Sequence, residues 1–436
     1  MIRDGPRLYC RPSSPPPCRP FMIRIAHVVE SFAYGTAKTV TQICGYQDND
    51  CEATIFHGHR QGTELDLIDL GPNVLYERLP GTGPLRHVRN IRFLADRLAG
   101  FDLIHAHSSY GGLYAKWLSR RLFGADADRR VLYSPHGFAF LRNDLAPAAR
   151  GLIRWFERRT SDRCTTLACG PHEASLAADW RGPVRCIANG HEVSSPRPVG
   201  ELDGTVLGVG RICPQKGFDI FRDVAAACPE RAFRWVGEPQ RVGDPVPSVP
   251  PNLTMTPYLP HDELLALIRS CRVIFLPSRW EGLSRFLIEG ICNGKALVTS
   301  TFPANLDCLD GDGIDGVGDV AGGKVSDGNG AGVRGEAKMR VRRYPNGFTA
   351  SDVDGYAAAI RATDDDGRLA SMQAASHLHA SRHYDIAQIR EVWRRTYRDA
   401  ASGEPVAESS RGDIEPADAA RNITAGSSAT DQPATL

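Results

Sequence analysis

Short apolar runs rich in β-branched residues alternate with longer segments of helical spacing from residue 22 onward. The runs include IRIAHVV, DLIHAH and TTLACG in the first half and TVLGVGR, VIFLPS and ALVTS in the second. Between them, segments such as VRNIRFLADRLAG and HDELLALIRS repeat apolar residues at helical intervals. This order predicts an α/β fold with two doubly wound, Rossmann-like parallel-sheet domains. Domains of this kind bind ligands at the carboxyl ends of their strands, so we expect them to face each other across a binding cleft.

A stretch rich in Ser, Pro and Gly, residues 193–203, separates the two alternations. We assign residues 22–195 to an N-terminal and residues 196–385 to a C-terminal Rossmann-like domain. Residues 386–401 space Ile, Val, Trp and Tyr along one face of a helix, so this helix is predicted to dock on a domain. No short tandem repeat is visible, which argues against a solenoid.

Three segments do not follow the alternation. Residues 309–344 are rich in Gly and Asp and nearly lack aromatic residues, which predicts a flexible insertion. Residues 1–21 contain three consecutive prolines, and residues 402–436 are biased toward small and polar residues, so both ends are predicted to be disordered. Because Met22 opens the first strand, we interpret residues 1–21 as a disordered leader or a misassigned start.

The composition narrows the class of protein. Hydrophobic residues make up 42% of the 436 residues, as in globular chains that bury cores. The formal net charge of +1 gives no indication of a nucleic-acid partner. None of the twelve cysteines has C-x-x-C or zinc-ligand spacing, so we expect buried free thiols in a reducing cytosol. No apolar run reaches the ~20 residues that span a bilayer.

The segment PSRWEGLSRFLIEGICNG carries the strongest chemical signal. A buried strand ends before Glu281 and Gly282, and a helix is predicted to start near Leu283 or Ser284, with Glu289 inside it. Carboxylates at these two depths suit the hydroxyls of a sugar and a ribose, and the N–H groups at the helix start suit a diphosphate. The competing interpretation is that Glu281 caps the helix and Glu289 is solvated.

The segment VLGVGRICPQKGFDIF places two cations after a strand. Arg211 follows the strand and Lys216 precedes the next helix, where both could neutralise a departing diphosphate. The spacing does not fit a Walker loop, and the third glycine of a dinucleotide fingerprint is missing. The alternative is a pair of ordinary surface cations.

Two further strand ends carry histidine. His105 and His107 have the period-two spacing that puts both rings on one side of a strand, and His136 follows the next strand. The three could bind a metal only with a further ligand, and because no carboxylate is placed to complete such a site, we predict none. Gly35 opens a helix after the first strand, which is a weak signal for an anion site.

The segment ARGLIRWFERRTSDR is basic and amphipathic. Its arginines could lie on anionic lipid. We favour the alternative in which its large apolar residues, Leu152 and Trp155 among them, form an ordinary packing face.

Together these motifs resemble glycosyltransferase family 4, whose members have the two-domain GT-B fold. The resemblance covers roughly residues 22–300 and resumes from Asn346, and its most specific part is WEGLSRFLIEG. It implies that residues 22–195 form the acceptor-side domain and residues 196–385 the nucleotide-sugar-binding domain. It also implies that Glu281 binds the transferred sugar and Glu289 the nucleotide ribose. The helix of residues 386–401 resembles the family helix that crosses back to the N-terminal domain.

The remaining roles follow from the same resemblance. It implies that Arg211 and Lys216 bind the diphosphate, that His107 lies beside the donor sugar and that Gly35 belongs to the first loop. His136 and His105 are left as acceptor-side candidates. Where the family often has Gly-Phe-Gly-x-Pro, this chain has GLSRF, so Arg285 stands unexpectedly beside the phosphate path.

The activity implied is that of a retaining hexosyltransferase that moves a sugar from a nucleoside-diphosphate sugar to a hydroxyl. It implies a glycan or lipid-linked acceptor in bacterial polysaccharide synthesis. It also implies no cofactor or metal, no nucleic acid, and a cytoplasmic location with peripheral membrane contact. Two alternatives stay open: a catalytically impaired paralogue that only binds sugar nucleotide, and a sugar-nucleotide epimerase on the same fold.

Overall fold

The computed structural model describes residues 22–47, 50–59, 68–240, 244–245, 247–311, 313–315 and 341–402. The predicted leader at 1–21, the tail at 403–436 and most of the insertion, 316–340, lie outside the described residues. The described chain forms two α/β units, each built around its own sheet. The fold class predicted from the alternation of strands and helices is therefore confirmed.

The first unit contains a seven-stranded sheet. Its strands are β1 Ile23–Val29, β2 Cys51–His57, β3 Val74–Arg78, β4 Leu103–His107, β5 Val131–Ser134, β6 Thr165–Ala168 and β7 Val184–Cys186. They lie in the order β3-β2-β1-β4-β5-β6-β7, and all neighbours are parallel. The central strands, β1 and β4, are almost entirely buried because helices cover both faces of the sheet. The order reverses between β1 and β4, which makes their carboxyl ends the expected ligand position.

The helices of this unit follow the strands in chain order. They are α1 Tyr34–Cys44, α2 Arg86–Arg97, α3 Ser108–Phe123, α4 Ala127–Arg130, α5 Pro147–Arg159 and α6 Pro171–Ala177. Proline is at the first position of α5 and α6, where its missing N–H leaves no backbone hydrogen bond unmade. Helix α3 starts directly after His107, so that histidine is held between the strand end and the helix start.

The second unit contains an eight-stranded sheet. Its strands are β8 Val206–Val209, β9 Phe233–Val236, β10 Leu253–Thr256, β11 Val273–Leu276, β12 Ala296–Ser300, β13 Ile314–Asp315, β14 Arg342–Tyr344 and β15 Gly347–Ala350. The order is β10-β9-β8-β11-β12-β15-β14-β13, parallel except for the antiparallel pairs that β14 makes with β15 and β13. Here the order reverses between β8 and β11, the strands that precede the Arg211 and Glu281 motifs.

Seven helices are described beyond the first unit. They are α7 Phe218–Ala227, α8 His261–Ser270, α9 Arg285–Cys292, α10 Pro303–Leu306, α11 Val353–Ala362, α12 Asp366–His383 and α13 Ile386–Ser402. Side chains of Asp352 and Asp365 cap α11 and α12 by accepting a backbone N–H in the first turn. None of the described helices is long and apolar enough to cross a bilayer.

Helix α13 joins the two units. Its Trp393 and Tyr397 are buried in a core that continues from the second unit to one face of the first sheet. Its Arg394 donates from Nε to the Tyr46 carbonyl at 2.8 Å. The opposite face of the first sheet has a separate core around Tyr114 and Tyr133. The helical pattern of residues 386–401 thus forms a brace against the N-terminal unit.

The structure tests three further predictions made from the sequence. The insertion predicted at 309–344 is ordered at both ends, because Leu309 and Tyr344 are buried and β13 pairs with β14. The expectation of flexibility is wrong there. The ten cysteines within the described residues are all free and buried, as expected. The favoured packing face of α5, Leu152, Ile153, Trp155 and Phe156, is wrong for Leu152 and Trp155, which are 65% and 61% exposed, whereas Ile153 packs against the core of the first unit.

Candidate functional site

The turn after β8 places Lys216 at the edge of the second sheet. Gly217 adopts φ +68°, and a Cβ there would lie 2.2 Å from the Pro277 carbonyl oxygen, so only glycine allows this approach. The approach brings the 214–216 turn against the loop that follows β11. As a result, Lys216 Nζ lies 2.6 Å from Glu281 Oε1.

The pair between Lys216 and Glu281 is largely removed from solvent. Their side chains are 18% and 7% exposed. Carboxylates this buried are normally paired with a cation or hydrogen-bonded, because an unpaired buried charge is costly. The sequence predicts both residues at the site, and the structure brings them into direct contact. The alternative in which Glu281 caps the helix and Glu289 is solvated does not fit, because Ser284 is the N-cap residue and Glu289 is buried.

Arg211 lies beside the same loop and reaches the N-terminal unit. Its Nη2 donates to Gln215 Oε1 at 3.1 Å, and Gln215 Nε2 donates to the Trp280 carbonyl at 3.1 Å. The Arg211 guanidinium also lies 5.7 Å from the ring centroid of Tyr34, which precedes Gly35. Arg211 is therefore positioned between the two units, on the same side as Lys216.

The start of α9 follows directly after the loop that contains Glu281. Gly282, Leu283 and Ser284 are all buried, and Ser284 is the N-cap residue without a side-chain capping bond. Within the described part of the chain, its hydroxyl has no hydrogen-bond partner. A buried hydroxyl without a partner at a helix N-terminus suits an incoming anion, which the helix dipole also favours. The predicted helix start at Leu283 or Ser284 agrees with the observed one within two residues.

Glu289 is buried on the inner face of α9. Arg285 Nη2 lies 3.6 Å from its Oε1. Glu289 lies close to His191 and His261. Each of the three residues offers one possible ligand atom, and these three atoms lie within 4.8 Å of one another. Burial lowers the pKa of both histidines, and the nearby Glu289 carboxylate opposes that shift. Such a set can bind ribose hydroxyls, and its chemistry also suits a divalent ion. The expectation that no metal is required stays a prediction.

Four histidines form the N-terminal side of the site. Strands β1 and β4 pair in the register His27 opposite His105, so these rings and His107 lie together. His27 Nδ1 is 3.1 Å from His107 Nε2, and His107 Nδ1 is 3.0 Å from His136 Nε2. The triad His27, His105 and His107 has the proximity of a metal site. The direct nitrogen–nitrogen contacts instead indicate hydrogen bonds between imidazoles.

Burial keeps these imidazoles neutral. It lowers the pKa of His27 to about 3 and that of His136 to about 4, with Arg285 adding to the effect at His136. The pKa of His107 falls well below its usual value for the same reason, assisted by the neighbouring histidines. His136 has φ +53°, and the next N–H, of Gly137, donates to Glu173 Oε1 at 2.6 Å. The buried Glu173 thereby holds the turn that presents His136.

His105 takes a different position from its neighbour. It is fully buried, with Nδ1 2.7 Å from the Tyr397 hydroxyl and Nε2 2.9 Å from Ser134 Oγ. Both ring nitrogens are therefore engaged by the protein, one of them through α13. This geometry favours a bracing role for His105 over the acceptor-side role predicted from the sequence.

Arg285 and Gly35 meet across the two units. Arg285 Nη1 donates to Gln42 Oε1 at 2.7 Å and contacts Thr39 Oγ1 at 3.3 Å, both on α1. A Cβ on Gly35 would lie 3.9 Å from Arg285 Cδ. Gly35 thus belongs to the groove, although no glycine-specific conformation is required there. Arg285, which the family pattern does not predict, thus connects the two units across the groove.

A second close approach lies beside this bridge. A Cβ on Gly282 would come within 2.4 Å of the Gly137 nitrogen. The two glycines therefore let the backbone of each unit touch the other. His136 of the first unit and Glu281 of the second are neighbours of this contact.

Sequence reasoning missed several residues of this groove. His27 lies in an apolar strand and carries no motif, and only its register opposite His105 could have identified it. The ring of Tyr34 is tilted against that of Tyr258 with centroids 5.3 Å apart, a contact that needs both units. Gln42 lies on a helix face with no sequence signal of its own.

Comparison with known proteins fits this geometry. The description "Glycosyl transferase 4-like domain" matches residues 24–190, and "Glycosyl transferases group 1" matches residues 203–323. A curated relative is the UDP-Gal:alpha-D-GlcNAc-diphosphoundecaprenol alpha-1,3-galactosyltransferase of Escherichia coli. It is 24% identical over 237 residues, which cover 48% of this chain and 60% of that protein.

Solved structures share the fold. Sucrose-phosphate synthase from Thermosynechococcus elongatus superposes with a TM-score of 0.68 at 17% identity, covering 88% of this chain and all of that one. HepE from Anabaena, in complex with UDP-glucose, has a TM-score of 0.62 at 15% identity, covering 86% and 100%. The two matched models together cover about two thirds of the sequence. The chain therefore belongs to the group 1, family 4 glycosyltransferases of GT-B fold.

Proposed function

We propose that this chain transfers a hexose from a UDP-hexose to a hydroxyl of a lipid-linked glycan, with retention of anomeric configuration. The observation that carries the proposal is the convergence of Arg211, Lys216, Glu281 and Glu289 around the start of α9. The E. coli relative's name specifies a UDP-galactose donor and a diphosphoundecaprenol acceptor, and HepE was solved with UDP-glucose. These support the donor and acceptor classes.

The cations supply the chemistry at the leaving group. As the glycosidic bond breaks, the UDP diphosphate gains negative charge. Lys216, Arg211 and the N–H groups at the start of α9 stabilise that charge. This arrangement provides the positive charge from the protein, so the proposal needs no metal.

Retention follows from attack on the same face. The acceptor hydroxyl bonds to the anomeric carbon as the bond to the diphosphate breaks, and a diphosphate oxygen takes the hydroxyl proton. A glycosidase-like scheme would need two carboxyl groups on either side of one bond. Here Glu281 is paired with Lys216 at 2.6 Å and suits hydroxyl binding.

The two alternatives from the sequence are less well supported. An insertion that disturbed the site would favour the impaired paralogue, yet the described ends of the 309–344 segment form β13 and β14 at the edge of the second sheet. The site lies at β8 and β11, with two strands of the sheet between β11 and β14. An epimerase would release an altered sugar nucleotide without needing an acceptor.

A donor screen followed by a transfer assay tests the proposal. UDP-galactose and UDP-glucose should raise the melting temperature more than GDP-mannose or ADP-glucose. A ligand at a hundred times its Kd adds about 2.7 kcal/mol to the free energy of unfolding. The protein should then glycosylate a short-chain N-acetylglucosaminyl diphospholipid, and NMR should show retention. Binding without transfer, or release of an epimer, would contradict the proposal.

Helix α5 supports peripheral contact with an anionic bilayer as part of this function. Leu152 and Trp155 are exposed, and Arg154, Arg158 and Arg159 are exposed on the same helix. Tryptophan beside basic residues is typical of helices that lie in the membrane interface. A lipid-linked acceptor would require the enzyme to work at such a surface.

Vesicle sedimentation tests this contact. The protein should bind vesicles containing phosphatidylglycerol and not pure phosphatidylcholine, and Leu152→Ser with Trp155→Ser should abolish binding. The control is Leu378→Ser, because Leu378 is an exposed leucine of the second unit, 47% exposed. Equal loss in the control, or binding that ignores lipid charge, would refute the contact.

A further inference from the structure

A line of hydrogen-bonded side chains runs from the groove into the N-terminal unit. His136 Nε2 is 3.0 Å from His107 Nδ1, and His107 Nε2 is 3.1 Å from His27 Nδ1. The line ends with Gln47, whose Nε2 is 3.3 Å from His27 Nε2. Successive rings are nearly coplanar, at interplanar angles of 7° and 15°. Coplanar rings at these distances are aligned edge to edge, as N–H···N bonds require.

The direction of such a line is not free. A neutral imidazole has one N–H donor and one acceptor nitrogen, so a chain of three can point only one way or the other. The Gln47 amide nitrogen can only donate. His27 Nε2 must therefore accept, which leaves the His27 proton on Nδ1. His27 Nδ1 then donates to His107 Nε2, so the His107 proton is also on Nδ1. His107 Nδ1 in turn donates to His136 Nε2, which leaves the His136 proton on Nδ1.

We propose that Gln47 fixes all three histidines as Nδ1–H tautomers, so that His136 offers an N–H donor to an oxygen of the bound substrate. His136 lies beside the contact of Gly137 with Gly282, next to the proposed sugar position at Glu281. A sugar hydroxyl or a diphosphate oxygen is the matching acceptor. The substrate part rests on the proposed function, whereas the tautomers do not depend on any reaction.

The proposal assigns different roles to the members of the line. His136 is the residue that contacts substrate, as a hydrogen-bond donor and not as a general base, because its Nδ1 already carries the proton. Gln47, His27 and His107 are positioning residues that act through it. His105 is outside the line, because its nitrogens bond to Tyr397 and Ser134.

Nitrogen-15 NMR of the histidine-labelled full chain measures the tautomers directly. The expected result is Nδ1–H for His27, His107 and His136, although free histidine in water prefers Nε2–H. Assignment uses single His→Gln variants of each ring. Nε2–H on any of the three in the wild type overturns the proposal, whether or not the protein transfers sugar.

Two substitutions at one position separate positioning from packing. Gln47→Lys keeps a donor and should preserve all three tautomers and the activity. Gln47→Met removes the donor, so the three rings should show mixed tautomers and kcat/KM should fall about tenfold, the loss of one hydrogen bond. Gln388→Met, at an exposed position of helix α13, is the control for a glutamine-to-methionine substitution.

The outcomes are distinct. If Gln47→Met keeps the wild-type tautomers, Gln47 does not set the direction of the line. If the tautomers become mixed and kcat/KM is unchanged, His136 does not contact substrate. If Gln47→Lys loses as much activity as Gln47→Met, the role of Gln47 is packing and the proposal fails. Failure of the proposed function would show instead as absence of transfer by the wild type with intact tautomers.

Discussion

The two sides of the groove differ in the charge of the side chains that they offer to a sugar donor. The C-terminal side holds formal charges, with Lys216 paired to Glu281 at 2.6 Å. The N-terminal side holds neutral imidazoles, because burial lowers the pKa of His27 to about 3 and of His136 to about 4. The charged groups in direct contact, Lys216 and Glu281, thus lie on the side that we assign to the diphosphate. Neutral donors occupy the side assigned to uncharged hydroxyls.

The difference has a physical reason. A buried charge is costly unless another charge compensates it, and a departing diphosphate compensates cations well. Uncharged hydroxyl groups would leave buried cations uncompensated, so hydrogen-bond donors without net charge suit them better. If this division is correct, removing charge from one side and adding protons to the other should have different effects.

The largest effect is expected from Lys216→Ala. Loss of a cation that stabilises the leaving group should lower kcat by about 100-fold or more, since removing one such electrostatic donor typically costs that much. Steady-state transfer from the UDP-hexose, measured at saturating donor, checks the change.

Controls are needed because Lys216→Ala also leaves Glu281 unpaired. The melting temperature should show that the variant is folded at the assay temperature. Arg222→Ala is a matched loss of a cation on the surface of α7, where Arg222 pairs with Asp223. Wild-type kcat in Lys216→Ala would remove the charged side from the mechanism.

The contrast also shows which features the sequence could reveal. The fold class follows from the alternation of strands and helices, because a residue's neighbours in sequence determine that pattern. Lys216 and Glu281 were identifiable because each follows a strand, and strand ends converge at the switch point of a doubly wound sheet. Their direct contact required the approach of Gly217 to Pro277, which no sequence pattern indicates.

Other features depend on contacts between distant segments. His27 joins the site through its pairing register with His105, and Arg285 through its bond to Gln42, 243 positions away. The exposure of Trp155 was also not predictable, because an amphipathic pattern gives the spacing of apolar residues and does not show what covers them. Placement of single side chains needed the tertiary structure.

The next effect concerns stability on the neutral side. Unfolded histidine binds a proton near pH 6.5, whereas folded His27 does so only near its pKa of about 3. The unfolded state therefore gains protons first as pH falls, and stability decreases below about pH 6.5. His27 alone should cost about 1.4 kcal/mol between pH 7.5 and pH 5.5. Urea unfolding at the two pH values measures the loss.

Variants separate His27 from other groups that titrate. His27→Gln should reduce the difference between the two pH values by about 1.4 kcal/mol. Asp307 acts in the opposite direction, because burial raises its pKa to about 7 and the folded state takes up its proton first. A pH dependence that His27→Gln leaves unchanged would show that the imidazole is not held neutral.

The smallest effect is expected where the two sides touch, at Arg285. Its Nη1 donates to Gln42 Oε1 at 2.7 Å, so Arg285→Gln should loosen the groove and raise the donor KM by about threefold to tenfold with little change in kcat. If this bond carries the effect, Arg285→Gln and Gln42→Ala will not be additive, with a coupling free energy of about 1 kcal/mol in a double-mutant cycle. Arg361→Gln is the matched control, because Arg361 pairs with Glu230, which precedes β9 at the sheet edge opposite the groove. Additive effects would mean that Arg285 acts on the donor through Glu289, its neighbour at 3.6 Å, and that the two sides are not coupled through this arginine.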